Sequence, residues 1–332
     1  MVRIWLNHWF STAYNIINLI RENEPDFRII GSNEKRESPI KTVCDEWYQE
    51  PVLKGEQYVD FCLEFCRQHG IDIFMPRREM IAVSKYKDRF LAAGVKVMVD
   101  DYKYVSLLNH KDQAYAAFRA QGVGHVPDFY VVTDSRQFRA AYDKLTEKYE
   151  RVCFKFIRDE GGKSYRLIDN SQRTYSSLFR RQTTRISLNA VMEILSDKKS
   201  FSPVMVMPFL PDEEISVDCL MTANGLIAIS RVKDSTRIEK VRYDRDILET
   251  CHTFFEKFPL EQPCNIQFKY LDGVPYLLEV NTRMSGGVQM SCAASGVNIP
   301  NIAVNRLLGI NRKWTNNKLE KSVTHVEIPI VI

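Results

Sequence analysis

The 332-residue chain has no apolar run approaching the roughly 20 residues that span a bilayer, so no membrane partner is expected. It opens without a leader-like segment: residues 1–6 read as a first strand, too short and too polar downstream for a signal peptide. There is no internal repeat, no low-complexity stretch and no proline-rich linker. No charge sign dominates, and a net charge of +4 gives no case for a nucleic-acid partner. The eight cysteines are scattered, several within apolar runs such as Val152-Cys153-Phe154, as buried reduced thiols are. Cys62 and Cys66 stand one helical turn apart, but no second Cys or His pair matches them, so a metal there is not expected. The remaining composition, 45% hydrophobic and 27% charged, is that of an ordinary globular protein, expected in the cytoplasm, with room for two or three compact units.

Glycine is missing from one informative place. The first hundred residues alternate strand and helix: strands at 3–6, 27–30 and 71–75, helices at 11–22 and 56–69, the first capped by Ser11 and the second stopped by Gly70. That rhythm predicts a parallel sheet with helices on its faces. The turn after the first strand, Asn7-His8-Trp9-Phe10-Ser11, has no glycine, which excludes the usual dinucleotide fingerprint.

Around residue 110 the pattern changes. Helices are predicted at 111–120, 135–148 and 188–196, with strands at 129–133 and 152–157 and a Gly161-Gly162 turn. Arg173, Arg180, Arg181 and Arg185 concentrate positive charge, either as a solvated face or as an anion clamp over phosphates. From 203 onward strands dominate: 204–209, 214–222, 226–231 after the Asn224-Gly225 hairpin signal, 264–270 and 275–280, followed by helices at 288–295 and 300–308.

The chemistry concentrates at the end of the chain. Glu279 and Asn281 lie two apart on a strand and project from one face. Gln267, on the partner strand, joins them only in one register. A two-residue turn at Asp272-Gly273 sets Gln267 opposite Leu278, on the wrong face. A three-residue turn, Leu271-Asp272-Gly273 with Gly273 left-handed, sets it opposite Leu277, and this turn is predicted. Three oxygen donors, one of them charged, suit Mg²⁺ that arrives with nucleotide phosphates. Arg283, where the strand opens into Ser285-Gly286-Gly287, is placed to hold a transferring phosphoryl group.

The segment Leu278-Glu-Val-Asn-Thr-Arg283 with Ser285-Gly-Gly287 resembles the metal-binding signature of ATP-grasp enzymes, closest to their carbamoyl-phosphate-synthetase-like branch, with Thr282 in place of the usual proline. Over roughly residues 1–310 the chain is similar to the ATP-grasp proteins associated with tellurium-resistance operons. The resemblance implies a Rossmann-like pre-ATP-grasp α/β domain, 1–108, and a two-lobed α+β ATP-grasp fold, 109–200 and 201–332.

It also implies roles. Lys111 resembles the basic residue that contacts the nucleotide phosphates, and Lys155 the lysine that reaches the α-phosphate and adenine. Gly161, Gly162 and Lys163 resemble the loop that closes over the phosphates, although Asp159 and Ser164 stand where glycines are usual. Met207, Phe209 and Leu210 would line the adenine, with Phe209 or Leu210 donating the amide hydrogen that Pro208 lacks. Glu214 resembles the glutamate that binds ribose hydroxyls, and Arg231 an arginine near the γ-phosphate, with Lys233 and Arg237 as lesser candidates. Gln267, Glu279 and Asn281 would hold two Mg²⁺ ions. The activity implied is ATP-dependent ligation of a small-molecule carboxylate and an amine through an acyl phosphate, in small-molecule biosynthesis. A kinase on the same scaffold and a non-catalytic nucleotide-binding protein are the alternatives. A homodimer is the default assembly.

Overall fold

In the computed structural model, residues 9–11, 158–162, 172–183, 234–237, 316–319 and 332 lie outside the described residues; the rest form two compact units. One comprises Met1–Leu108, Glu213–Phe268 and Glu279–Ile332, the other Asn109–Asp212 and Lys269–Leu278.

The first unit begins with five short strands, β1 (Val2–Leu6), β2 (Phe27–Asn33), β3 (Glu46–Gln49), β4 (Ile73–Met75) and β5 (Lys96–Val97), in the order β3-β2-β1-β4-β5. All are parallel, as crossover helices require. The helices are α1 (Thr12–Arg21), α2 (Gly55–His69), α3 (Met80–Lys85), α4 (Lys87–Ala92) and α5 (Tyr102–Leu108). The alternation of β1 divides its side chains between two cores. Trp5 packs with Phe65 and Phe74, at ring distances of 4.3 and 4.1 Å, among Tyr58, Cys62 and Cys66 of α2. Ile4 and Leu6 join Ile16, Ile17 and Ile20 of α1 in the other core.

The second unit holds β6 (Tyr130–Val132), β7 (Val152–Phe156), β8 (Arg166–Ile168), β9 (Arg185–Ile186) and β10 (Val204–Pro208), in the order β6-β10-β7-β8-β9. With them go α6 (Lys111–Gln121), α7 (Ser135–Thr146) and α8 (Leu188–Ser196). Asp134 caps α7 and Ser187 caps α8 through their side-chain oxygens. Phe138, Leu145, Val191 and Val206 lie at the centre of this core.

The third sheet contains β11 (Glu214–Thr222), β12 (Gly225–Lys233), β13 (Glu239–Val241), β14 (Cys264–Leu271), β15 (Val274–Asn281) and β16 (Lys321–Val323), in the order β15-β14-β11-β12-β13-β16. The helices α9 (Arg245–Lys257), α10 (Val288–Ser295) and α11 (Ile299–Leu307) accompany it. Leu220, Ile227 and Ile229 of this sheet share one core with α1, α10 and α11, which makes residues 213–268 and 279–332 one unit with the leading sheet. Asn298 and Asn301 cap the end of α1 from a distance in sequence: their amides donate to the last-turn carbonyls of Leu19 (2.8 Å) and Ile20 (3.1 Å).

The mixed α/β fold and the longer elements agree with the sequence reading; the predicted helices at 188–196 and 288–295 appear with those bounds. Strands β3, β5, β8, β9, β13 and β16 were not foreseen, since two to four residues carry too little periodicity. The turn between β14 and β15 is a correction. It holds two residues, Asp272 and Gly273, both left-handed (φ 51° and 76°), the pattern of a type I′ hairpin and not of the expected three-residue turn. Asp tolerates the left-handed region well enough to take the first position.

Candidate functional site

The three residues at the end of β15 are joined. Asn281 Nδ2 donates to Glu279 Oε1 at 3.0 Å, and Arg283 Nη2 donates to Asn281 Oδ1 at 3.3 Å. The chain folds back in a three-residue turn, Arg283 N donating to Asn281 O at 2.8 Å, which returns the guanidinium to the strand it has just left. Glu279, Asn281 and Arg283 are all half-buried, so each can meet a ligand. On β14, Gln267 Nε2 donates to Asn265 Oδ1 at 3.3 Å, which ties these two to one face of that strand.

Asn265 escaped the sequence reading. It is fully buried and donates to Ser216 Oγ (2.9 Å), Val217 O (3.1 Å) and Asp218 Oδ1 (3.0 Å). Through Asp218 it reaches Arg231, which is 1% exposed. Arg231 donates to Asp218 Oδ2 (3.1 and 3.2 Å), Ser291 Oγ (2.8 Å), Ser285 Oγ (3.1 Å) and Ser216 Oγ (3.4 Å), and pairs with Glu239. Burial alone would weaken the charge, but Asp218 and Glu239 hold the guanidinium above its ordinary pKa, so it stays cationic. In this arrangement Arg231 organises the loop after Arg283, and Ser285 and Gly287 are packed against it; only Gly286 is exposed. Glu214, at the start of β11, receives Lys233 Nζ at 2.5 Å.

In the other unit, Lys111 is the first residue of α6, where a cation opposes the helix dipole and an anion would offset both. Lys155 lies on β7 opposite Met205, half-buried. Its strand is not buried throughout: Phe156 is 45% exposed. Met207 and Leu210 are buried and Phe209 is half-buried. The Phe209 ring lies under the Arg151 guanidinium (4.4 Å) and Lys269 Nζ (5.9 Å). Its amide donates to Arg151 O at 2.8 Å, so of the two expected adenine-edge donors that of Phe209 is already committed. Lys163 is exposed. Gly161 and Gly162 lie outside the described residues, as do Ser11, Arg173, Arg180, Arg181 and Arg237. Arg185, the described member of the arginine cluster, pairs with Asp169 at 2.7 Å. Hydrogen bonds from Ser171, with those of Arg185, hold the Asp169 carboxyl down to about 2.

The two-residue turn sets Gln267 opposite Leu278, on the other face from Glu279 and Asn281, which corrects the expected three-ligand set; the donors left together on β15 are oxygen-only, with a single carboxylate. Among the described residues no three His, Cys, Asp or Glu side chains gather as a metal site. Such a set fits a hard cation that brings anionic ligands of its own, and does not fit zinc or a self-sufficient calcium site.

Residues 200–329 match the family described as ATP-grasp in the biosynthetic pathway with Ter operon. The carbamoyl phosphate synthase large chain of Pyrococcus furiosus is 23% identical over 319 residues, which cover 89% of this chain and 27% of that protein. The chain thus spans about a quarter of the length of the curated relatives it matches. Among solved structures, the biotin carboxylase domain of Hydrogenobacter thermophilus 2-oxoglutarate carboxylase, in complex with MgADP, ADP and bicarbonate, is 14% identical with a TM-score of 0.70, covering 96% of this chain and 72% of that one. The N5-carboxyaminoimidazole synthetase of Staphylococcus aureus, complexed with ADP, is 13% identical with a TM-score of 0.71, covering 94% and 78%. No described helix is long and apolar enough to cross a membrane.

Proposed function

We propose that the chain is an ATP-grasp enzyme, an ATP-dependent ligase that joins a small-molecule carboxylate to an amine. The observation that carries this reading is the hydrogen-bonded line Glu279–Asn281–Arg283 at the end of β15. It sets a carboxylate, an amide oxygen and a guanidinium side by side, the three groups needed to bind metal-bridged phosphates and a transferring phosphoryl group.

A substrate carboxylate oxygen attacks the γ-phosphorus of ATP, and the bond to the β–γ bridging oxygen breaks as ADP departs. The amine then attacks the acyl carbon, phosphate leaves, and the ammonium proton passes to solvent. Arg283 neutralises charge on the phosphoryl oxygens, while Lys111 and Lys155 hold the nucleotide phosphates. Leu210 presents its amide to the adenine, Met207 and Phe209 line the base, and Glu214 takes the ribose hydroxyls. Lys163 binds the phosphates, and keeping water from the acyl phosphate prevents its hydrolysis. Mg²⁺, two ions by the resemblance, would be held by Glu279 and Asn281 and would supply charge neutralisation at the phosphates; Gln267, set opposite Leu278 by the two-residue turn, is not among these ligands. Arg231 acts indirectly, by fixing the 285–287 loop. Residues 1–108 serve as the leading domain, 109–200 and 201–332 as the two lobes, and the working assembly is a homodimer acting in small-molecule biosynthesis.

The test is a panel of carboxylate and amine pairs with MgATP, read by phosphate release and by mass spectrometry of the products. ADP formation that requires both partners, with a condensed product, is expected. A phosphorylated product formed without an amine, or nucleotide binding with no turnover on any pair, would overturn the ligase reading.

A further inference from the structure

We infer that a cavity at the carboxyl ends of β1 and β4, bordered by Arg77 and Arg283, is a subsite for the carboxylate of a small acid with an apolar body. This names the substrate class for the ligase proposed above and rests on that reading. The cavity lies wholly within the first unit. His8 follows β1, and Pro76 and Arg77 follow β4. In the strand order β3-β2-β1-β4-β5, the chain goes to one side of β1 and later to the other. The carboxyl ends at such a reversal leave a crevice, the usual ligand position in open parallel sheets.

The loop that carries Arg77 is fixed. Asn7 Oδ1 accepts from the amides of Arg77 (2.6 Å) and Arg78 (3.4 Å), and its own amide donates to Tyr58 Oη (2.6 Å). Tyr58 in turn donates to buried Glu50 at 2.9 Å. Arg78 is absorbed by this support: it pairs with Glu50 and Glu34 and lies 4.8 Å over the Tyr58 ring. Its neighbour Arg77 lines the cavity.

The walls are otherwise apolar, with Ile16, Met75, Met80, Met98 and Met284. None of the described lining residues is acidic. His8 is buried, and burial together with Arg77 and Arg283 pushes its pKa down to about 3. It is therefore neutral, and the positive field comes from the two arginines, both close enough to act on His8. The space inside is about 30 Å³, room for roughly two waters. Methionines adapt to varied apolar shapes, which suits the remainder of the acid. Arg283 also donates to Asn281, so a carboxylate in this cavity lies next to the line of residues assigned to phosphoryl transfer.

The experiment uses the full chain with ¹³C-methyl methionine and no nucleotide, titrated with hexanoate, hexanamide and inorganic phosphate. Hexanoate is expected to shift the methyl resonances of Met75, Met80 and Met98, and hexanamide and phosphate are not. Arg77→Met should weaken hexanoate about tenfold or more, and Arg77→Lys should lose less, because charge is kept. Hexanamide or phosphate binding as well as hexanoate, hexanoate binding unchanged in Arg77→Met, or no hexanoate binding to the parent would each overturn the subsite. MgADP binding, measured on the same samples, should be unchanged in both variants. Its absence from a parent that binds hexanoate would count against the ligase reading alone.

Discussion

Gly287 lies directly against the guanidinium of Arg231: a β-carbon at 287 would come within 2.4 Å of Nη1 and 2.6 Å of Cζ. The glycine is thus required by a close approach, its φ of −112° being open to any residue. Gly287→Ala should destabilise the chain by about 1–3 kcal/mol, the usual cost of overpacking a buried site. Urea denaturation checks this; an unchanged midpoint would mean that the guanidinium can step aside.

Arg231→Met removes a cation that pairs with both Asp218 and Glu239. Leaving the buried Asp218 carboxylate uncompensated, beside half-buried Glu239, should cost about 3–5 kcal/mol. Adding Asp218→Asn should recover part of that loss, since one of the two charges is then gone. A double variant as unstable as the single one in thermal unfolding would show that the charges are not the cause.

Glu279→Ala should lower ATP turnover by at least about a hundredfold, as a transition-state interaction does when removed. The melting temperature should stay close to the parent's, because Glu279 is half-buried and outside the cores. Near-parental turnover would remove the metal-binding role.

Glu214→Ala should raise the KM for ATP about tenfold with little change in kcat, because ribose is held alike in ground and transition states. Steady-state kinetics decide it, and a defect in kcat alone would contradict the ribose assignment. Lys233→Ala gives a further reading, since it loses the pairing with Glu214 at 2.5 Å without losing the carboxylate.

Asp100 gives a pH signature. Burial raises its carboxyl from 3.8 to about 6, against hydrogen bonds from the amides of Glu261 (2.6 Å) and Gln262 (3.1 Å). The folded state therefore holds its proton more tightly than the unfolded chain. The sign follows: this stabilisation is full below about 4, falls as pH rises towards about 6, and is gone above it. Asp100→Asn should remove that fall from the stability–pH curve, on the order of 1–3 kcal/mol. Equal slopes for parent and variant between pH 4 and 7 would rule it out.

What the sequence by itself determined was local. Period 2 put Glu279 and Asn281 on one face, period 3.6 marked the helices at 188–196 and 288–295, and a missing glycine excluded a dinucleotide turn. The turn at Asp272-Gly273 shows the limit, because Asp-Gly chemistry admits two hairpin geometries of opposite register. Only the tertiary structure decided which distant groups meet. It enclosed Arg231 with Asp218, Glu239, Ser285 and Ser291, made α1 share a core with α10 and α11, and set His8, Arg77 and Arg283 around one cavity. The reason is physical: periodicity reports what each residue's neighbours along the chain can hide from water, whereas the partners of a buried charge are chosen by how whole sheets and helices pack.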